Sequence, residues 1–263
     1  MEKRRRPIGL FDSGLGGISV LAEAVRLLPA EDFVYYGDTG HAPYGDKQPE
    51  EVLRLSRAVV DKLMARGSKA ILIACNTATS AAAAALREEM SVPIIGMEPA
   101  LKPAALMPGQ GSILVLATRM TLKLPKFSGL MEHYGQDAVP IPGSGLVELV
   151  ERGEMEGERV EALLREFLAP YLDRPVKAIV LGCTHYVFLR KAIRRVVGEE
   201  VPLVDGNAGT VSQLARKLQE GELQRLDAGP KGQVTFLTSA PKRREALGRM
   251  ETIFNLALAQ REG

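Results

Sequence analysis

The sequence predicts an α/β protein made of two pseudo-symmetric, duplicated α/β domains with largely parallel sheets and a cleft between them, on three observations. Short apolar runs alternate with longer helical patterns, the signature of strand–helix–strand units. The series of strand ends then recurs in the same order at offsets of 105 to 109 residues, a period far too long for a solenoid. Finally, 263 residues with 46% apolar and 25% charged content suit two modest domains of ~100–150 residues and exclude a disordered chain or a coiled coil.

Taken in order, Ile8-Gly-Leu-Phe11 reads as a first strand, and Gly17 to Leu28 as a helix stopped by Pro29. Phe33-Val-Tyr-Tyr36 is a second strand. Val52, Leu55, Val59 and Leu63 mark one face of a helix ended by Gly67. Ala70 to Ala74 is a buried-type strand followed by an alanine-rich helix to about Glu89, and Pro93-Ile-Ile-Gly96 is a fourth strand. The series then restarts. Lys69 to Cys75 aligns with Lys177 to Cys183, and Val92 to Ile95 with Val201 to Val204. Asp32 to Val34 aligns with Asp137 to Val139, and Ile8 to Ser13 with Ile113 to Thr118. Beyond residue 206 a helix (Val211, Leu214, Leu218), a strand (Val234 to Leu237) and a last helix from about Pro241 to Ala259 have no counterpart in the second half. They are expected to return to the first domain, which would span 1–97 and 207–263, with the second at 98–206.

A net charge of +2 is too small for nucleic acid as the main partner, and Lys3 to Arg6 reads as a solvated basic tail. No apolar stretch approaches the ~20 residues of a membrane span, and the N-terminus lacks the apolar core of a signal peptide, so a cytoplasmic protein is expected. The two cysteines, Cys75 and Cys183, are too few for a sulfur-based zinc site, and His41, His133 and His185 sit at no metal spacing. No metal is therefore expected, and a cytosolic pair of thiols should be reduced.

Both cysteines end a strand and precede polar residues, Asn76-Thr77 and Thr184-His185, that open the next helix. A helix N-terminus favours a thiolate and binds carboxylates, and in open α/β sheets ligands sit beyond the carboxyl ends of the strands. Two thiols on opposite sides of a substrate suit one chemistry, in which one takes a proton from carbon and the other returns one to the opposite face. A thiol's unperturbed pKa of ~8.5 lets thiol and thiolate coexist near neutrality. A redox pair would favour CxxC, which is absent. Asp12-Ser13, Asp38-Thr39, Tyr44-Gly45, and Thr118 with Thr121 add small polar groups at other strand ends. The glycines of Gly14-Leu-Gly-Gly17 miss the dinucleotide pattern, because Ser19 stands where its last glycine belongs.

Several segments carry a family resemblance: Gly9 to Gly17, Tyr36-Gly-Asp-Thr39, Ala42-Pro-Tyr-Gly45, Ala74-Cys-Asn-Thr-Ala-Thr79, Leu181-Gly-Cys-Thr-His-Tyr186 and Val201 to Asp205. Together they resemble the cofactor-independent aspartate/glutamate racemase superfamily. His185 after Cys-Thr is similar to its glutamate racemase branch, where aspartate racemases usually carry Glu. The resemblance implies interconversion of L- and D-glutamate without a cofactor, with D-glutamate supplied to peptidoglycan. It implies Cys75 as the thiol acting on D-glutamate and Cys183 as the one acting on L-glutamate, assisted by Asp12 and His185 and more weakly by Asp38. Substrate would be held by Asp12, Ser13, Asp38, Tyr44, Gly45, Asn76, Thr77, Thr118, Thr121, Glu151, Thr184 and His185. Racemases of this kind commonly dimerise, so a homodimer is implied. The chain departs from the usual pattern at Gly143-Ser-Gly145 and Glu148, ahead of Glu151, and at Thr121-Leu-Lys-Leu-Pro125. Two other readings stay open: the same machinery acting on aspartate or another acid, and a non-catalytic module that clamps a small ligand.

Overall fold

The computed structural model describes residues 2–226 and 231–259. Met1, residues 227–230 and residues 260–263, all within the span expected for the first domain, lie outside the described residues. Contacts divide the chain into two compact units, Met1–Met97 with Asn207–Gly263, and Glu98–Gly206.

The first unit begins with β1 (Ile8–Asp12), α1 (Ile18–Leu27), β2 (Phe33–Gly37), α2 (Pro49–Ala65), β3 (Ala70–Ile73), α3 (Asn76–Glu89) and β4 (Ile94–Gly96). The second holds α4 (Leu101–Leu106), β5 (Ser112–Ala117), α5 (Arg119–Lys123), α6 (Pro125–Tyr134), β6 (Ala138–Pro142), α7 (Leu146–Glu151), α8 (Glu158–Leu168), β7 (Val176–Leu181), α9 (Arg190–Val197) and β8 (Leu203–Asp205). The chain then continues through α10 (Asn207–Glu220), β9 (Val234–Thr238) and α11 (Arg243–Ala259).

Every strand pairing is parallel, as the alternating pattern predicts. The sheets run β4-β3-β1-β2-β9 and β6-β5-β7-β8. With β5 to β8 matched to β1 to β4, the two orders are identical, so the repeat in sequence is also a repeat in topology. The difference lies at one edge. In the first unit β9 pairs with β2, and all five residues of β2 are buried. In the second unit β6 is an edge strand, largely open and carrying Pro140 and Pro142. Proline cannot donate to a ladder and is confined to such edges.

The strands are continuous apolar runs because helices cover both faces of a parallel sheet. Val52, Leu55, Val59 and Leu63 of α2 are buried, as their spacing predicts, and α2 packs on α3, whose small Ala78, Ala82 and Ala83 are buried in turn. At the amino ends of the first unit's strands lies a buried ion pair. Lys69 Nζ donates to Glu31 Oε2 at 2.5 Å with both side chains at 2% exposure or less. Lys69 Nζ also donates to the Arg4 carbonyl, and Glu31 Oε1 accepts from the Arg225 amide at 2.8 Å. The neighbouring Asp32 accepts from the Gln233 amide just ahead of β9. The pair thus joins the N-terminal segment and the connection between α10 and β9 to the central strands.

Removing one member of such a pair strands a buried charge. Glu31→Ala should lower the unfolding free energy by about 3–5 kcal/mol, and Glu31→Leu combined with Lys69→Met should recover most of it. Urea denaturation measures both. A loss for Glu31→Ala of under about 1 kcal/mol, the range of an exposed pair, would refute this.

Candidate active site

Each sheet changes direction of winding at its centre, between β1 and β3 in the first unit and between β5 and β7 in the second. Ligands in open α/β sheets bind at such switch points, outside the carboxyl ends of the strands. Asp12, Ser13, Cys75, Asn76 and Thr77 fall there in the first unit, and Thr118, Cys183 and Thr184 in the second.

In the first unit, Asp12 ends β1 and is fully buried. Its Oδ1 accepts from the Ser13 hydroxyl at 2.9 Å and the Gly14 amide at 3.3 Å. Gly17 permits this arrangement, since a Cβ there would lie 2.7 Å from the Asp12 Cβ and 2.9 Å from its Oδ2. The Tyr35 hydroxyl braces the loop by donating to the Gly14 carbonyl at 2.8 Å. Cys75 follows β3 and caps α3, with Sγ accepting the Ala78 amide at 3.4 Å and lying 3.9 Å from Ser13 Oγ. A sulfur anion here is therefore met by a helix N–H. Asn76 and Thr77 are buried beside it, and among the described residues neither polar atom of the Asn76 amide has a hydrogen-bond partner. A buried amide left so is costly, and a ligand would satisfy it.

Asp38 and Tyr44 lie in the loop after β2. The buried Tyr44 hydroxyl donates to Asp38 Oδ2 at 2.6 Å, and Asp38 Oδ1 meets His41 Nδ1 at 2.9 Å. Burial first, then the charge and hydrogen bond of Asp38, push the Tyr44 pKa far up, so the phenol remains a donor. Gly45 follows at intermediate exposure. Both oxygens of Asp38 thus serve this loop. His41 is a partner that the sequence reading considered only as a metal ligand; its signal was the three-residue spacing from Asp38 in a turn.

In the second unit, Thr118 ends the β5 segment and caps α5. Its Oγ1 accepts the Thr121 amide at 3.2 Å and lies 2.9 Å from Thr121 Oγ1. Cys183 follows the neighbouring β7, with Thr184 buried next to it. Cys183 Sγ lies 3.7 Å from His185 Nδ1, and His185 Nε2 lies 2.6 Å from Glu151 Oε1 at the end of α7. Burial works against a charge on this imidazole. The hydrogen bonds and charges of Cys183 and Glu151 outweigh it and hold the His185 pKa well above the ordinary histidine value.

The two thiols therefore differ in support: a backbone N–H for Cys75, a buried imidazole for Cys183. The expected helix directly after Cys183 is instead a 3-10 turn over Thr184–Leu189, and α9 begins only at Arg190. Side-chain bonds from His185 and Tyr186 to the α7 region hold this segment in the tighter turn. Neither cysteine is in a disulfide, and both are buried, at 6% and 7% exposure. Among the described residues no group of three or more His, Cys, Asp or Glu is placed to hold a metal ion, and no helix is long and apolar enough to cross a membrane.

Comparison with known proteins shows the family. Residues 13–214 match the profile of the Asp/Glu/Hydantoin racemase family. A glutamate racemase of Clostridium perfringens (strain SM101 / Type A) is 52% identical over 226 residues, 85% of this chain and 87% of that protein. Among solved structures, Escherichia coli glutamate racemase in complex with L-glutamate and the activator UDP-MurNAc-ala is similar at 29% identity, with a TM-score of 0.81 over 96% of this chain and 95% of that one. The Francisella tularensis glutamate racemase in complex with D-glutamate is similar at 26% identity, with a TM-score of 0.79 over 98% and 95%. With switch-point cysteines in both repeats and a family match across most of its length, this chain belongs to the Asp/Glu/Hydantoin racemase family, whose members are isomerases.

Proposed function

We infer that this chain interconverts L- and D-glutamate by moving protons through two thiols and supplies D-glutamate for peptidoglycan. The observation that carries the mechanism is a cysteine outside any disulfide at the switch point of each repeat, each with its own means of supporting a sulfur anion. Similarity to proteins solved with L-glutamate and with D-glutamate supports the substrate.

In the L-to-D direction the Cys183 thiolate takes the α proton. The C–H electron pair stays on Cα and spreads into the adjoining carboxylate, while an S–H bond forms. The Cys75 thiol then gives its proton to the other face of Cα and becomes the thiolate. The reverse direction exchanges the roles. A protonated His185, held by Glu151, balances the negative charge on Cys183, and the Ala78 amide does so for Cys75. Asn76, Thr77 and Thr184 are donors for the substrate carboxylates, and Asp12 holds Ser13 beside Cys75 by accepting a hydrogen bond from its hydroxyl. Thr118 and Thr121 offer a further pair of hydroxyls, and Tyr44-Gly45 a loop braced by Asp38. The thiols require a reducing compartment, which favours the cytoplasm. A homodimer is the assembly that the family likeness supports, and sedimentation reads it directly.

In D₂O, L-glutamate should give D-glutamate carrying one α deuteron. Cys75→Ala and Cys183→Ala should each lower racemisation by about 10³-fold or more with the fold intact by circular dichroism. Folded wild-type protein that neither inverts nor exchanges either enantiomer would refute the assignment.

The raised His185 pKa sets a sign for pH. Its proton is retained through neutrality and lost only as pH rises past the raised value, so activity should fall on the alkaline side. Glu151→Gln removes one anion holding that proton and should move the alkaline limb to lower pH. An unmoved or upward-shifted limb would refute the role of Glu151.

A further inference from the structure

We propose that the Tyr186 hydroxyl is a positioning group for the Cys183 half of the reaction, fixing the start of α7 so that Glu151 at its end stays against His185. This rests on the two-thiol reading above.

Tyr186 follows His185 and is fully buried. Its hydroxyl donates to the Gly143 carbonyl at 2.7 Å. That carbonyl opens the turn into α7 and also lies 3.4 Å from the Leu146 amide, while the Gly143 amide donates to Ala117 of β5 at 2.9 Å. Two adjacent residues of one turn therefore grip both ends of α7: Tyr186 ahead of its start, His185 at Glu151. The helix has only six residues, a length of about 9 Å at 1.5 Å each, so displacement of its start is carried to its end. Its N-cap, Gly145, is left-handed (φ +85°) and supplies no side-chain cap, so the turn is held from outside, by Tyr186 at the Gly143 carbonyl and by Arg119 Nε at the Ser144 hydroxyl (2.9 Å).

Position 143 is shaped to this bond. A Cβ there would lie 2.7 Å from the Tyr186 hydroxyl and 3.0 Å from the Leu146 side chain, so any larger residue would displace the phenol. If the ring served only as core, phenylalanine would fill the same space without a hydroxyl to satisfy.

Tyr186→Phe tests the role. The enantiomers are equal in free energy, so kcat/KM must fall equally in both directions, and the informative readout is the α-deuterium isotope effect. Slower transfer at Cys183 makes abstraction from L-glutamate more rate-limiting and abstraction from D-glutamate less so. We expect kcat to fall about 3- to 10-fold, the rate equivalent of one net hydrogen bond. The isotope effect should rise with α-deuterated L-glutamate and fall with the D enantiomer. Gly143→Ala, which attacks the same bond from the other side, should move both effects the same way, and the double variant should be less than additive. Unchanged isotope effects in folded Tyr186→Phe protein, or a loss in stability alone, would overturn the proposal. A wild-type protein that fails to racemise glutamate would instead overturn the reading on which it rests, so the two failures are separable.

Discussion

The carboxyl ends of β1 and β3, and of β5 and β7, are where everything else in this protein is anchored. In a parallel sheet every strand ends on the same side, and where the winding reverses, the loops after two neighbouring strands part to opposite faces. Each unit uses this place in the same way. One strand delivers a hydroxyl-bearing loop, Asp12-Ser13 or Thr118, and its neighbour delivers a cysteine. The glycines and small residues around them are consequences of close approach, as at Gly17 beside Asp12 and Gly182, whose Cβ would lie 2.8 Å from that of Ala117.

From this shared frame the two halves diverge in electrostatics. Cys75 rests on the first turn of a fourteen-residue helix and is close to Ser13. Cys183 opens a 3-10 turn, and its support comes from a buried imidazole whose pKa is raised by its bonds to Cys183 and Glu151. A backbone N–H is a fixed partial charge that cannot titrate, whereas an imidazolium can. The raised pKa of His185 therefore belongs to the second unit alone, with no counterpart beside Cys75 among the described residues.

The edges of the sheets show how a duplicated unit accommodates different surroundings. The strand β2 became internal because β9 pairs with it, and it is buried throughout. Its equivalent β6 stayed at an edge and carries two prolines, which blunt that edge against further pairing. The buried Lys69–Glu31 pair belongs to the same adaptation, since it engages residues on the connection leading to β9.

Period and composition already carried the α/β class, the internal repeat and the strand ends on which Cys75 and Cys183 stand, because strand length, helix spacing and chain direction are local properties. The residue types at those ends were legible for the same reason: a thiol before Asn76-Thr77 or Thr184-His185 can be read in one dimension. Partnerships between residues distant in the chain were not. The carboxylate of Glu151 could as well have faced solvent on its helix, and only packing of α7 against the 184–189 turn puts it 2.6 Å from His185. The grip of Tyr186 on Gly143 and the burial of Lys69 with Glu31 share that character. Each joins separate segments through a hydrogen bond whose length tolerates only tenths of an ångström, and such distances exist only once the sheets and helices have packed.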